Sequence, residues 1–200
     1  MPKSKSFINV EDRAYQFSDG VYEVIAVRRG VLIDSSEHFD RLFHSLNELD
    51  IYIPWSQAVL RVLIKEVLAR NNILNGNVYL QISRGVASRN HIFPEQGVRP
   101  ALVILANGLH RVKPLRTDGV GVHTLPDNRW GRVDIKSISL LANVLAKQKA
   151  VELGCYEAWF FDDDNHITEG ASSNAWIVDK MERLVTRPLG IDILPGVTRS

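Results

Sequence analysis

Residues 15–33 read YQFSDGVYEVIAVRRGVLI, and this stretch constrains the fold more than any other. Val24, Ile25, Val27, Val31 and Ile33 are β-branched, a side-chain type that suits a pleated surface and loses rotamer freedom in a helix. Arg28-Arg29-Gly30 interrupts them with turn chemistry, so the stretch predicts two β-rich runs joined as a hairpin. The period then changes. In DSSEHFDRLFHSLNELDI, Ser35 or Ser36 is the expected N-cap, and Phe39, Leu42, Phe43, Leu46 and Leu49 recur at helical spacing. A second helix is expected over residues 56–71, with Leu60, Leu63, Ile64, Val67 and Leu68 on one face and NNILNGN as its stop. Strands are expected at VYLQISRG and, after the irregular VASRNHIFPEQGVRP, at ALVILAN. Hairpins mixed with helices indicate an α+β (α/β) class.

The apolar pattern lapses in GLHRVKPLRTDG, residues 108–119, which predicts a small N-terminal domain over 1–111, a linker at 112–118 and a second, larger domain from 119 to 200. In the second domain VGVHTLP reads as a strand. SISLLANVLAKQKAVELG reads as a helix with Ile138, Leu141, Ala142 and Leu145 inward and Gly154 as its stop. YEAWFFDDDNHITEG reads as strand, acidic turn and strand; NAWIVD and RLVTR are further strands, and ILPGVTRS leads towards a helix.

Composition removes several function classes. With 24 Lys+Arg against 23 Asp+Glu and no basic stripe, neither nucleic acid nor an anionic membrane has an electrostatic footprint. Cys155 is the single cysteine, which excludes an internal disulfide or a zinc site of several thiolates and points to a reducing, cytoplasmic compartment. No apolar run approaches the ~18 residues of a membrane span, and MPKSKSFINVEDR lacks the apolar centre of a signal peptide. His38, His44, His91, His110, His123 and His166 are scattered without a metal-ligand spacing, so no metal is expected.

The candidate residues each admit an ordinary reading. Lys136 stands beside Ile135 and Ile138 at the expected first turn of a helix, where lysine usually snorkels to solvent. Restricted solvation would instead favour the neutral amine and make it a nucleophile towards a carbonyl. Glu169, in ITEGASSNAWIV, is either a solvated turn carboxylate or a partner for a heteroaromatic nitrogen; the GASS that follows offers closely spaced N–H and hydroxyl groups. Thr198, in ILPGVTRS, could add a hydroxyl to a helix N-terminus that favours phosphate. Arg41, between Phe39 and Leu42, suits either a salt bridge or phosphate chelation. Arg84, Arg89 and His91 share one loop, and in an extended chain Arg89 and His91 point the same way and could clamp a carboxylate.

Taken together and in order, EDRAYQFSDGVYEVI, EHFDRLFHSL, VYLQISRGVASRNHIFPE, RWGRVDIKSISLLANVLAKQKA, GCYEA, TEGASSNAWIV and ILPGVTR resemble the fold-type IV pyridoxal-phosphate enzymes, in particular the D-amino-acid aminotransferases. The resemblance implies a two-domain architecture, a homodimer, pyridoxal 5′-phosphate held between domains, and ping-pong transfer of an amino group from a D-amino acid such as D-alanine to a 2-oxo acid. Lys136 matches the lysine that forms the internal aldimine and shuttles the α-proton. Glu169 matches the carboxylate facing the pyridine nitrogen; Arg41, Val197 and Thr198 match the phosphate cup; Ser172 and Ser173 match serines near the cofactor. Arg89 and His91 match the pair that binds the substrate carboxylate across the dimer interface. Arg28 stands where the D-alanine enzymes carry tyrosine, implying a substrate pocket rebuilt around a cation. Chains of that family continue beyond GVTRS, so the expectation is an incomplete second domain with a partly open cofactor site and weakened activity. A branched-chain L-amino-acid aminotransferase or an aminodeoxychorismate lyase of the same fold would reuse Lys136 and Glu169, and a non-catalytic binding module is the reading from another class.

Overall fold

A computed structural model describes residues 3–95, 97–109 and 118–199. The chain divides into two compact units, Met1–His110 with Lys136–Ile138, and Arg111–Ile135 with Ser139–Ser200. The segment expected to link the domains, 112–118, lies outside the described residues except for Asp118. Among the described residues no helix is long and apolar enough to cross a membrane.

The first unit is built on a 4-stranded sheet of order β2-β1-β3-β4, with β1 at Gly20–Arg28, β2 at Val31–Leu32, β3 at Gly76–Ser83 and β4 at Ala101–Gly108. All its pairings are antiparallel. Arg28 pairs with Val31, leaving Arg29 (φ 51) and Gly30 (φ 76) as the turn. Two positive φ angles give the turn the twist a hairpin needs, and glycine reaches that region without a Cβ penalty. Tyr15, expected within the first β run, lies instead in a short helix, α1 (Arg13–Phe17), because Asp12 caps it by accepting the Ala14 N–H at 2.9 Å.

Two further helices complete this unit, α2 (Ser35–Glu48) packed on β1 and α3 (Gln57–Arg70) packed on β4. Ser56 caps α3 by accepting the Val59 N–H. The cap of α2 is Asp34, in the left-handed region at φ 46, and not Ser35 or Ser36. The Ser35 hydroxyl instead accepts Arg61 Nη1. Period-2 burial on β1 puts Val21, Ile25 and Val27 inward. They join Phe39, Leu42, Leu46, Leu60, Ile64, Val78, Leu80 and Ile82 in a core where none exceeds 3% exposure. Each such side chain stabilises by ~1.5–3 kcal/mol when fully buried.

The second unit has a 3-stranded sheet of order β5-β6-β7, formed by Val122–Pro126, Glu157–Phe161 and Ile167–Gly170. The β5–β6 pair is parallel and the β6–β7 pair antiparallel. Helix α4 (Leu141–Glu152) packs on β6, and Gly154 follows it at φ 72. A separate hairpin pairs β8 (Ile177–Val178) with β9 (Leu184–Val185). The face of α4 differs from expectation. Leu141 and Leu145 are 72% and 59% exposed, whereas Ala146 and Ala150 are buried. The alanines let the helix approach Ala158, Phe160 and Ala171 closely, and a leucine at those positions would hold it away. Nor does the helix reach Lys136 or Ile138. Lys136 precedes Leu141 in an extended segment whose Ser137 forms an antiparallel bridge with Val21.

Candidate active site

Within the first unit, backbone hydrogen bonds fix Lys136 against β1. Tyr22 N–H donates to the Lys136 carbonyl at 3.1 Å, Ile138 N–H donates to the Gly20 carbonyl at 3.1 Å, and Lys136 N–H donates to Ser45 Oγ at 3.0 Å. The Lys136 ammonium lies 4.3 Å from the centroid of the Tyr22 ring, and the residue is half-buried. A lysine held in this way is not a free surface side chain.

Next to it in sequence register is Glu23, a carboxylate with 0% exposure on the core-facing stripe of β1. Arg41 from α2 grips it bidentately, Nε to Oε1 at 2.7 Å and Nη2 to Oε2 at 2.8 Å. His38 Nδ1 lies 2.7 Å from Oε2. Burial alone would raise the Glu23 pKa; the bonds from Arg41 and His38, with the charges of Arg41 and Lys136, outweigh it and hold the carboxyl below its ordinary range. Arg41, expected at a phosphate or in a salt bridge, is thus already oriented by one. Its side chain has 9% exposure.

Arg89 and His91 are brought together around one ring. The Arg89 guanidinium carbon is 5.1 Å from the Phe17 centroid, and the His91 ring is 5.2 Å from it. Both residues are exposed. Beneath them Arg13, 3% exposed, donates to the Asn90 carbonyl at 2.6 Å and to Asp19 at 2.7 Å. Arg84, grouped with the loop cations in the sequence, is a buried anchor: it donates to both Asp19 oxygens and to the carbonyls of Leu49 and Asp50, and covers the Phe93 ring at 3.7 Å. Burial would raise the Asp19 pKa, but these arginines hold it low. Arg28 ends β1 exposed.

In the second unit Glu169, 5% exposed, ends up in a polar cluster. Oε1 accepts Arg129 Nη1, while Oε2 accepts Asn174 Nδ2 at 2.9 Å and Leu194 N–H at 3.2 Å. Arg129 also donates to both oxygens of Asp127, from Nε at 2.9 Å and Nη2 at 2.6 Å, and stacks 4.7 Å from the Phe160 centroid. Burial, assisted by the Asp127 charge, pushes the Glu169 pKa up against the pull of Arg129. Asn174 joins Glu169 to the PGVT turn: it donates to the Leu194 carbonyl at 3.0 Å, and a Cβ on Gly196 would stand 2.0 Å from Asn174 Oδ1. Val197 and Thr198 follow in a short 3-10 turn, Val197–Arg199. Ser172 and Ser173 direct their hydroxyls to Glu157 Oε2, at 2.6 and 3.3 Å. Asp162, Asp164 and His166 bring ligand-type atoms within 4.8 Å of one another on the β6–β7 turn, but Asp162 already accepts the N–H groups of Asp164 and His166 and the Arg187 guanidinium.

Sequence reading missed Glu23, Asp127 and Arg129. Glu23 had a signal, a carboxylate in the inward register of Val21, Ile25 and Val27. Arg129 had none, since it lies in an irregular stretch whose side-chain directions no periodicity sets.

The sequence pattern of the amino-transferase class IV family matches residues 20–200. A D-alanine aminotransferase of Staphylococcus haemolyticus is 39% identical over 98% of this chain and 69% of its own length; that of Bacillus licheniformis is 39% identical over 100% of this chain and 69% of its own. The Escherichia coli branched-chain amino acid aminotransferase superposes with a TM-score of 0.86 at 22% identity, over 100% of this chain and 68% of that one, which shows a shared fold. With a lysine fixed against β1, a buried carboxylate cluster and this extent of similarity, the chain belongs to the class IV aminotransferases.

Proposed function

We propose that the chain carries out pyridoxal-phosphate-dependent transamination of D-amino acids such as D-alanine, with a 2-oxo acid as acceptor. The observation that carries this reading is the fixing of Lys136 on β1 through Ser45, Tyr22 and Gly20, in a chain 39% identical to D-alanine aminotransferases. The residues suit the cofactor by their own chemistry. Lys136 supplies a half-buried amine able to hold an aldehyde covalently and to carry the α-proton. Glu169 is a buried carboxylate whose Oε1 accepts one bond, from Arg129, and whose Oε2 accepts two, so Oε1 keeps capacity for a protonated ring nitrogen. Arg41 presents a pre-oriented guanidinium for phosphate, and Val197, Thr198, Ser172 and Ser173 are assigned to the same group. When bound, the cofactor supplies an electron sink for negative charge at the substrate α-carbon. Arg28, Arg89 and His91 are assigned to the substrate carboxylate; the shared contact of Arg89 and His91 with Phe17 supports their acting as a pair. A homodimer and a cytoplasmic location belong to the same reading.

The test is one spectrum and one assay. The purified chain with added pyridoxal phosphate should show a visible band that D-alanine shifts and L-alanine leaves in place, with pyruvate limited to one per chain unless a 2-oxo acid acceptor is present to sustain turnover. No band, a response to L-alanine alone, or pyruvate released from D-alanine over many turnovers without an acceptor would each reject the assignment.

A further inference from the structure

We propose that the outer edge of β4 is a pairing surface for a second copy of this chain, joined antiparallel about a two-fold axis. The contact uses the first unit alone and does not depend on the transamination reading. β4 ends the sheet order β2-β1-β3-β4, so only one of its sides is paired. The Leu109 N–H donates to the Asn75 carbonyl just beyond the pairing of Gly76 with Gly108, which makes that pair a non-hydrogen-bonded one and fixes the alternation along the strand. Ala101, Val103, Leu105 and Asn107 therefore bond β3, and the N–H and C=O groups of Leu102, Ile104, Ala106 and Gly108 point away from the sheet. Among the described residues no hydrogen bond reaches those outward groups.

A row of unpaired backbone donors and acceptors is a template for another strand, and natural sheet edges are blunted by charge, proline or a bulge. β4 reads ALVILANG, with no charged residue and no proline, and its register with β3 runs unbroken from Ala101 to Gly108. The N-terminal segment does not fill the edge. Lys3 Nζ donates to Asn107 Oδ1 at 2.8 Å, and Ile8 lines a cavity with Ala101 and Val103; these β4 residues pair with Asn77, Ser83 and Gln81, on the sheet face opposite the buried Val78, Leu80 and Ile82. A second copy fits because β4 is complementary to itself. A two-fold axis through the edge pairs two identical strands antiparallel. With the axis at Leu105, Leu102 of one copy faces Gly108 of the other, and Ile104 faces Ala106. This register engages every outward backbone group, sets each large side chain against a small one, and runs the two sheets on as one.

Amide exchange of the full chain, read residue by residue by mass spectrometric fragmentation, tests this without any cofactor. Exchange at Leu102, Ile104, Ala106 and Gly108 should slow by about tenfold or more between low-micromolar and submillimolar protein, while Val103 and Leu105 are protected at both. Ala106→Pro removes an outward N–H and no ladder bond, so it should abolish the concentration dependence and leave Val103 and Leu105 protected. In a Cys155→Ser background, which leaves no other thiol, Leu105→Cys should form a disulfide-linked dimer under mild oxidation. The axis brings its two Cα atoms to ~4.5 Å, within disulfide reach; Val103→Cys should not cross-link. Edge amides unprotected at every concentration, protection that ignores concentration, or cross-linking at Leu105→Cys no stronger than at Val103→Cys would overturn the proposal. Exchange in the unsubstituted chain decides it even if a variant does not fold.

Discussion

Lys136→Ala is expected to lower transamination by about 10³-fold or more, since it removes both covalent retention of the cofactor and the group that moves the α-proton. The structure makes this a test of chemistry more than of folding. Lys136 is held by its backbone, through its N–H to Ser45, its carbonyl from Tyr22 and the neighbouring bridge of Ser137 to Val21. Alanine preserves all of these. The variant gives up the ammonium's place over the Tyr22 ring, worth about 0.5–2 kcal/mol, and should otherwise keep wild-type stability while losing its visible cofactor band. Lys149→Ala, at an α4 position whose side chain is 57% exposed, should keep both activity and band. A Lys136→Ala protein with near wild-type turnover would remove the residue from the mechanism.

Glu169→Ala should be damaging in two measurements at once. Alanine leaves the donors of Asn174 and Leu194 without their acceptor and Arg129 without one of its two carboxylates. Breaking a buried ion pair costs about 3–5 kcal/mol; the lower end applies because Arg129 keeps Asp127. Loss of the partner for a ring nitrogen should also reduce turnover on the order of 10²-fold. The pH dependence has a definite sign. The folded-state pKa of Glu169 is raised above its ordinary 4.5, with burial the largest cause, so the native protein keeps this proton to higher pH than the unfolded chain does. Its stabilising contribution is then complete below about pH 4.5 and declines as pH rises through the folded value. Glu23, whose pKa is lowered from 4.5, acts oppositely: its contribution is present above that value and is lost on acidification. Gln does not titrate and stands in for the protonated acid, so the stability of the wild type relative to Glu169→Gln, read from denaturant midpoints, should fall as pH rises from 4 to 7. A wild type that gains stability relative to Glu169→Gln over that range would mean that pairing with Arg129 dominates burial.

The sequence carried the elements whose register or period is local. The β1–β2 hairpin followed from β-branched residues around Arg29-Gly30, and α3 from its apolar stripe and Ser56. It misled where partners decide. Leu141 and Leu145 made the more apolar stripe on α4, yet the buried stripe is the one whose alanines permit close approach to Phe160. Lys136 looked like a helix residue because the segment before α4 is apolar at Ile135 and Ile138; its pairing with β1 depends on a strand far away in the chain. Of the candidate site residues, Lys136, Glu169 and Arg41 could be named from the motifs around them. The groups that orient them could not: Arg129 and Asp127 meet Glu169 through an irregular segment, and the His38 and Arg41 contacts of Glu23 arise only when α2 lies on the sheet.

The central claim is that Lys136 is the amine that takes the cofactor, and borohydride reduction of the pyridoxal-phosphate-loaded protein followed by peptide mapping tests it most directly. The account predicts one phosphopyridoxyl adduct per chain, on the peptide containing Lys136, absent in Lys136→Ala and absent when D-alanine is added before reduction. An adduct on Lys147 or Lys149, spread among surface lysines, or unaffected by D-alanine would contradict it.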